Sequence, residues 1–89
     1  MRKSLYTDEQ ERLQSMLRAV RLSAKITQSE LAGRLSRPQS FVAKYEGGER
    51  RLDVLELIHV LRALDVNPVR FVETLVDLSP KAVRRSKRP

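Results

Sequence analysis

The sequence has no cysteine and no tryptophan, one histidine and three glycines, and aromatic residues make up only 4% of it. Without thiols, neither a disulfide framework nor a thiolate metal site can form. One histidine excludes the multi-histidine zinc sites as well. No apolar run approaches the roughly 20 residues that a bilayer crossing requires. The opening stretch MRKSLYTDEQ is polar, unlike a secretory leader. No glycine-rich phosphate loop, metal cluster or nucleophile–base pair can be assembled, so neither a cofactor nor an enzymatic activity is expected. The class that remains is a small cytoplasmic domain with no membrane partner, and 89 residues leave no room for a second folded unit.

What the chain does have is positive charge. It carries 18 Lys and Arg against 11 Asp and Glu, a formal net charge of +7 with a sequence pI near 10.6. The surplus is uneven. Residues 1–80 hold 13 basic and 11 acidic side chains, whereas the last nine, KAVRRSKRP, hold five basic ones (Lys81, Arg84, Arg85, Lys87, Arg88) and no acid. That segment has too little apolar surface to offset its ordering entropy, so 80–89 reads as a flexible basic tail. Such a tail neutralises phosphates without reading sequence, and serves equally as a solubilising terminus.

Helical signals fill the rest. After an N-terminal arm, 1–7, a folded domain is expected over 8–79. Thr7 and Gln10 have capping-box spacing, and Leu13, Met16, Leu17 and Val20 form one apolar stripe on a helix over 8–23. Thr27 and Glu30 form a second box, opening a short helix with Leu31, Ala32 and Leu35. Ser36 and Gln39 repeat the pattern around Pro38, whose ring suits a first helical turn. The third helix carries Phe41, Val42 and Tyr45 and stops at Gly47-Gly48. Asp53 and Glu56 cap a fourth with Val54, Leu57, Ile58, Leu61 and Leu64. His59 lies among these apolar neighbours and reads as a structural histidine. Asn67-Pro68 starts a fifth helix over 68–78. No segment alternates with period two long enough to compete as a strand, apart from a short piece at 66–72, where Pro68 argues against one. The expected architecture is an all-α, compact five-helix domain.

The second and third helices stand too close for a loose hairpin, which is the layout of a helix-turn-helix over 27–46. The internal spacing has physical reasons. Ala32 is small where the third helix crosses it, while Val42 and Tyr45 face inward and fix that helix's angle. Gln28 sits at a helix N-terminus, where a side-chain amide and backbone N–H groups converge on one anion.

The segments Thr27-Gln28-Ser29-Glu30-Leu31-Ala32 and Gln39-Ser40-Phe41-Val42-Ala43-Lys44-Tyr45-Glu46-Gly47-Gly48-Glu49-Arg50-Arg51, with the leucine-rich helix after them, resemble the lambda-repressor/Cro (XRE-type) family. The resemblance covers roughly residues 9–75. One departure is Ser36, at a turn position usually taken by glycine. The resemblance implies a compact DNA-binding fold and a sequence-specific regulator of transcription. It places base contacts at Arg37, Pro38, Gln39, Ser40 and Lys44. Gln39 suits adenine, Lys44 suits guanine or a phosphate, and Pro38 offers only apolar contact. Phosphate contacts fall to Thr27, Gln28, Ser29, Arg50 and Arg51, although the two arginines read equally as solvated loop charges. Phe41 is open between a thymine methyl and the scaffold.

The fifth helix spreads Val69, Val72, Leu75 and Val76, with Phe71 and Leu78, round more than one face. A four-helix core covers only one of them, so a homodimer is expected through Val69, Val72, Leu75 and Val76. Symmetric pairing sets two recognition helices about 34 Å apart, one DNA turn, on double-stranded DNA carrying an inverted-repeat operator. The expected function is that of a homodimeric repressor, bacterial or phage-encoded and nucleoid-associated. Phage repressors, restriction–modification controllers and antitoxins that repress their own operons are the uses open to it. The rival reading is a protein-interaction module presenting its fifth helix to a protein partner. A third is non-specific binding driven by the tail.

Overall fold

Five helices account for most of residues 5–78, the part of the chain that the computed structural model describes. They are α1 (Leu5–Ser23), α2 (Gln28–Leu35), α3 (Gln39–Gly47), α4 (Val54–Ala63) and α5 (Pro68–Leu78). No strand occurs among the described residues, and the fold is all-α as expected. The basic tail, 80–89, lies outside the described residues, as does the start of the N-terminal arm.

Local chemistry sets most helix starts. Thr27 accepts from the Glu30 backbone N–H at 3.0 Å while the Glu30 carboxylate accepts from the Thr27 N–H at 2.8 Å, a reciprocal capping box. Asp53 and Glu56 do the same for α4, at 2.8 and 3.0 Å. Asn67 Oδ1 accepts from the N–H groups of Val69 and Arg70, and Pro68 takes the first helical position.

Two expected starts are different in the structure. α1 begins at Leu5 rather than near residue 8, so Thr7 lies inside the helix and does not cap it. Nothing between Leu5 and Thr7 breaks a helix, and threonine there costs only a few tenths of a kcal/mol, roughly. The Ser36–Gln39 box does not form. Pro38 is the N-cap of α3 and makes no side-chain cap bond. Ser36 is instead spent on closing α2, in the left-handed conformation at φ 57°. Its N–H reaches the Gly33 carbonyl and the next N–H, of Arg37, reaches Ala32.

Left-handed residues also follow α1, α3 and α4, at Lys25, Gly48 and Asp65. Only at Gly48 is a glycine used. A Cβ there would also lie 3.1 Å from the end of the Gln14 side chain on α1, so both the backbone and the packing favour glycine.

The core gathers Leu17 from α1, Leu31 and Ala32 from α2, Phe41, Val42 and Tyr45 from α3, Val60 and Leu61 from α4, and Phe71 from α5. Leu31, Val42 and Leu61 are wholly buried, and truncating such a leucine to alanine costs about 2–5 kcal/mol. Ala32, Val42 and Tyr45 thus occupy the inward positions their spacing assigned. Phe41 is buried as well and packs edge-on to Tyr45 with ring centroids 5.4 Å apart, which places it on the scaffold. His59 is exposed, not a core histidine. It falls on the solvent side of α4 because Val60 and Leu61 take the inward positions. Arg34 ties α2 to the end of α4 by donating to the Ala63 carbonyl at 2.8 Å. No described helix is long and apolar enough to cross a membrane.

Candidate nucleic-acid interface

Three residues separate α2 from α3, and the tight turn at Ser36 throws the start of α3 beside the start of α2. Burying Phe41, Val42 and Tyr45 fixes which face of α3 turns outward. Gln39, Ser40 and Lys44 are on that outward face and all three are exposed, with Arg37 and Pro38 exposed just ahead of them. Thr27 and Ser29 lie at the start of α2 with Gln28 between them. The residues at the starts of α2 and α3 read from the sequence as phosphate and base contacts therefore lie beside one another, with the positive ends of two helix dipoles beneath them.

The two glutamines are joined. Gln39 Nε2 donates to Gln28 Oε1 at 3.1 Å, and Gln28 Nε2 donates to Glu46 Oε1 at 3.1 Å. Glu46 in turn holds Arg21, whose Nε and Nη2 reach the two carboxylate oxygens at 2.8 and 3.0 Å. Arg21 Nη1 donates to the Ile26 carbonyl at 2.9 Å. Only 8% of the Arg21 side chain and 3% of the Glu46 side chain are exposed, so this is a buried, fully hydrogen-bonded pair. The Glu46 hydrogen bonds raise the Arg21 guanidinium above its ordinary value, against the burial that lowers it. Burial pushes the neighbouring Tyr45 phenol up, so Tyr45 stays neutral. The polar chain runs from the end of α1 to the reading face of α3.

Sequence reasoning missed Arg21 and Glu46, although a signal was present. Arg21 continues the inward series Leu13, Leu17 at four-residue steps, and Glu46 follows Val42 by the same step. A charged residue at a stripe position calls for an opposite charge on the element packed against it.

Arg50, read as a phosphate contact, makes two short bonds to Glu56, at 2.9 and 2.8 Å, and donates to the Arg51 carbonyl. Its guanidinium also lies over the Phe41 ring. Arg50 is thus a brace between the α3–α4 loop and α4. Arg51 is exposed in the same loop. On α5, Val69 and Val76 are 68% and 63% exposed, Val72 is 39% exposed and Leu75 is half-buried. With Val54 and Ile58 of α4, the three valines border an open apolar groove of about 590 Å³. No His, Cys, Asp or Glu cluster with metal-ligand character occurs among the described residues.

A model of the helix-turn-helix family matches residues 17–71. Among solved structures, an XRE-family like protein from Pseudomonas syringae pv. tomato str. DC3000 is similar with a TM-score of 0.81 and 41% identity, covering 84% of this chain and 92% of that one. The restriction–modification controller protein C.Esp1396I is similar in fold. A point mutant of that controller, with phenylalanine in place of a tyrosine, gives a TM-score of 0.71 at 25% identity over 86% of this chain and 92% of that one. The wild-type controller gives 0.71 at 20% identity over 88% and 96%. No curated protein matches the chain.

Proposed function

The chain belongs to the XRE-type helix-turn-helix family of DNA-binding transcription regulators, and from that premise we propose that it acts as a homodimeric repressor. In this reading α3 enters the major groove of an inverted-repeat operator, and α5 pairs with α5 of a second copy. The observation that carries the reading is the Gln39–Gln28 bond. It holds an exposed amide at the mouth of α3 while leaving Gln39 Oε1 and a second N–H for a bidentate pair with adenine N6 and N7. Lys44 and Ser40 extend the base-facing surface, Pro38 faces a thymine methyl, and Thr27, Gln28, Ser29 and Arg51 bind phosphates around it. Val69, Val72, Leu75 and Val76 form the dimer face. The basic tail adds affinity without preference, so deleting 81–89 weakens binding and keeps the chosen sequence.

Control of a restriction–modification operon has the support of the 25% identical controller, and neighbouring genes would separate it from phage repression and antitoxin autoregulation. A second reading, docking of a protein partner, is favoured by the apolar α4–α5 groove. Selection of bound duplexes from a random pool at about 150 mM salt, where non-specific phosphate binding is suppressed, decides between them. The proposed function requires an inverted repeat with half-sites about one helical turn apart. A lone half-site would remove the dimer. No enriched sequence would hand the case to the protein-docking reading.

A further inference from the structure

Two arginines converge on one carboxylate beside the reading helix. Glu56 Oε1 accepts from Arg50 Nη1 at 2.9 Å and from the Asp53 backbone N–H at 3.0 Å. Glu56 Oε2 accepts from Arg50 Nη2 at 2.8 Å and from Arg37 Nη2 at 3.3 Å. Both guanidinium groups lie over Phe41, with their carbons 4.3 Å (Arg37) and 4.9 Å (Arg50) from the ring centroid.

The two arms are not equal. Arg50 is held by two short bonds to Glu56 and a third to the Arg51 carbonyl. Arg37 has one longer bond, its side chain is 43% exposed, and it stands directly before the N-cap of α3. If Arg37 leaves, Arg50 still neutralises Glu56, so no uncompensated carboxylate is left facing DNA.

Resting on the reading of α3 as the DNA-reading helix, we propose that Glu56 is a positioning residue that parks Arg37 on Phe41, keeps it off the phosphates of random DNA and yields it only to a base edge. The magnitudes carry the argument. An exposed ion pair is worth at most about fivefold in an equilibrium, and one phosphate contact adds about threefold to the affinity lost between 50 and 200 mM salt. Exchanging Glu56 for a phosphate therefore gains Arg37 little. A bidentate guanine contact discriminates by about 5- to 150-fold and overcomes the tether. Arg37 then contributes to the chosen site and is withheld from random DNA.

Glu56→Gln keeps a side chain able to complete the Asp53 capping box and removes the charge that holds Arg37. The probes are a duplex carrying the sequence that the unaltered chain enriches and a duplex of random sequence. For random DNA the substitution is expected to steepen the salt dependence by about one unit of slope and to strengthen binding about threefold at low salt. The chosen site no longer has to break the tether and strengthens as well, by up to about fivefold, so the ratio of chosen-site to random affinity does not fall. An unchanged salt slope and affinity for random DNA overturn the proposal. Arg37→Ala tests it in a chain with Glu56 intact: chosen-site affinity drops, by up to about 30-fold net of the tether, while random-duplex affinity stays within about twofold. Equal weakening of both duplexes would make Arg37 a plain phosphate contact and sink the idea. A wild-type chain with no preference between the duplexes would remove the DNA-reading premise itself, a failure visible before any variant is made.

Discussion

Gln39 at the start of α3 donates to Gln28 at the start of α2, and this 3.1 Å bond joins the two helices where both present their N-termini. The bond fixes the amide orientation of Gln39, because the Nε2 atom must face Gln28. A side chain ordered before binding loses less entropy on meeting a base. Gln39→Ala is expected to cost on the order of 1–3 kcal/mol at the chosen site and to relax preference at one base pair. Gln28→Ala leaves the reading atoms in place and frees their orientation, so it should blur the same base pair at a smaller cost, about 1 kcal/mol, on top of a loss shared by all DNA from its phosphate contact. Competition binding against a panel of single-base variants measures both, and different affected base pairs for the two substitutions would count against the coupling.

Behind Gln28 stands the buried Arg21–Glu46 pair. Glu46→Ala removes the carboxylate and leaves a guanidinium with 8% exposure facing no counter-charge. Loss of one partner of a buried pair costs about 3–5 kcal/mol, against a total stability of about 5–15 kcal/mol for a domain. Urea unfolding should show the midpoint fall sharply with the slope retained. A loss below about 1 kcal/mol would mean that the pair is solvated in solution.

How much of this is legible in the sequence follows from range. The Thr27–Glu30 and Asp53–Glu56 boxes are legible because a cap is a three-residue event, and the inward places of Ala32, Val42 and Tyr45 because helical periodicity is local. Thr7 and Ser36 show where that logic fails. Capping spacing recurs by chance, and only the structure shows that Ser36 closes the preceding helix instead of opening the next. The polar chain from Arg21 to Gln39 is legible only as charges at stripe positions, and its pairing is not, since Arg21 and Glu46 lie 25 residues apart. The pairing of Arg50 with Glu56 is hidden differently. Capping already accounts for Glu56 in the sequence, and in the fold it performs both roles.

That double role makes Glu56 sensitive to acid. Hydrogen bonds from Arg50, then the Asp53 backbone N–H, hold its carboxyl down from 4.5 to about 2. Glu30 is lowered too, chiefly by its bond from the Thr27 backbone. A carboxylate with a depressed folded-state pKa stabilises the fold above its ordinary value and loses that contribution as pH falls toward the depressed one. Stability is therefore expected to decline between about pH 4.5 and about pH 2. The dependence of urea midpoints on pH across that range should flatten in Glu56→Gln, and an equally steep decline in the variant would assign the acid limb to other groups.

Ser36 holds the helix-turn-helix turn in a conformation that glycine adopts without strain. A left-handed non-glycine residue costs roughly 1–2 kcal/mol, whereas glycine gives back about 0.5–1 kcal/mol through the freedom of the unfolded chain. Ser36→Gly should therefore stabilise by about 0.5–1 kcal/mol and raise Tm by about 2–8 °C. The Ser36 N–H and Arg37 N–H bonds to α2 involve only backbone and survive the change. Thermal unfolding decides it. A lowered Tm would show that the serine hydroxyl contributes more to this turn than its backbone strain takes away.

The dimer proposed through α5 can be separated from folding because the helix has two sides. Phe71 is buried against the core and anchors α5, while Val72 and Val76 border the open groove beside α4. A charge at an exposed helix position changes the stability of the single chain by about 0.5 kcal/mol or less. The same charge buried without a partner between two copies costs several kcal/mol, roughly enough to dissociate a dimer. Val72→Glu and Val76→Glu are therefore expected to sediment as folded monomers at concentrations where the unaltered chain is dimeric. On an inverted repeat they should lose the second half-site's contribution and bind as single readers, with base preference inside each half-site kept. Variants that remain dimeric would place the interface elsewhere and leave the α4–α5 groove for a different partner.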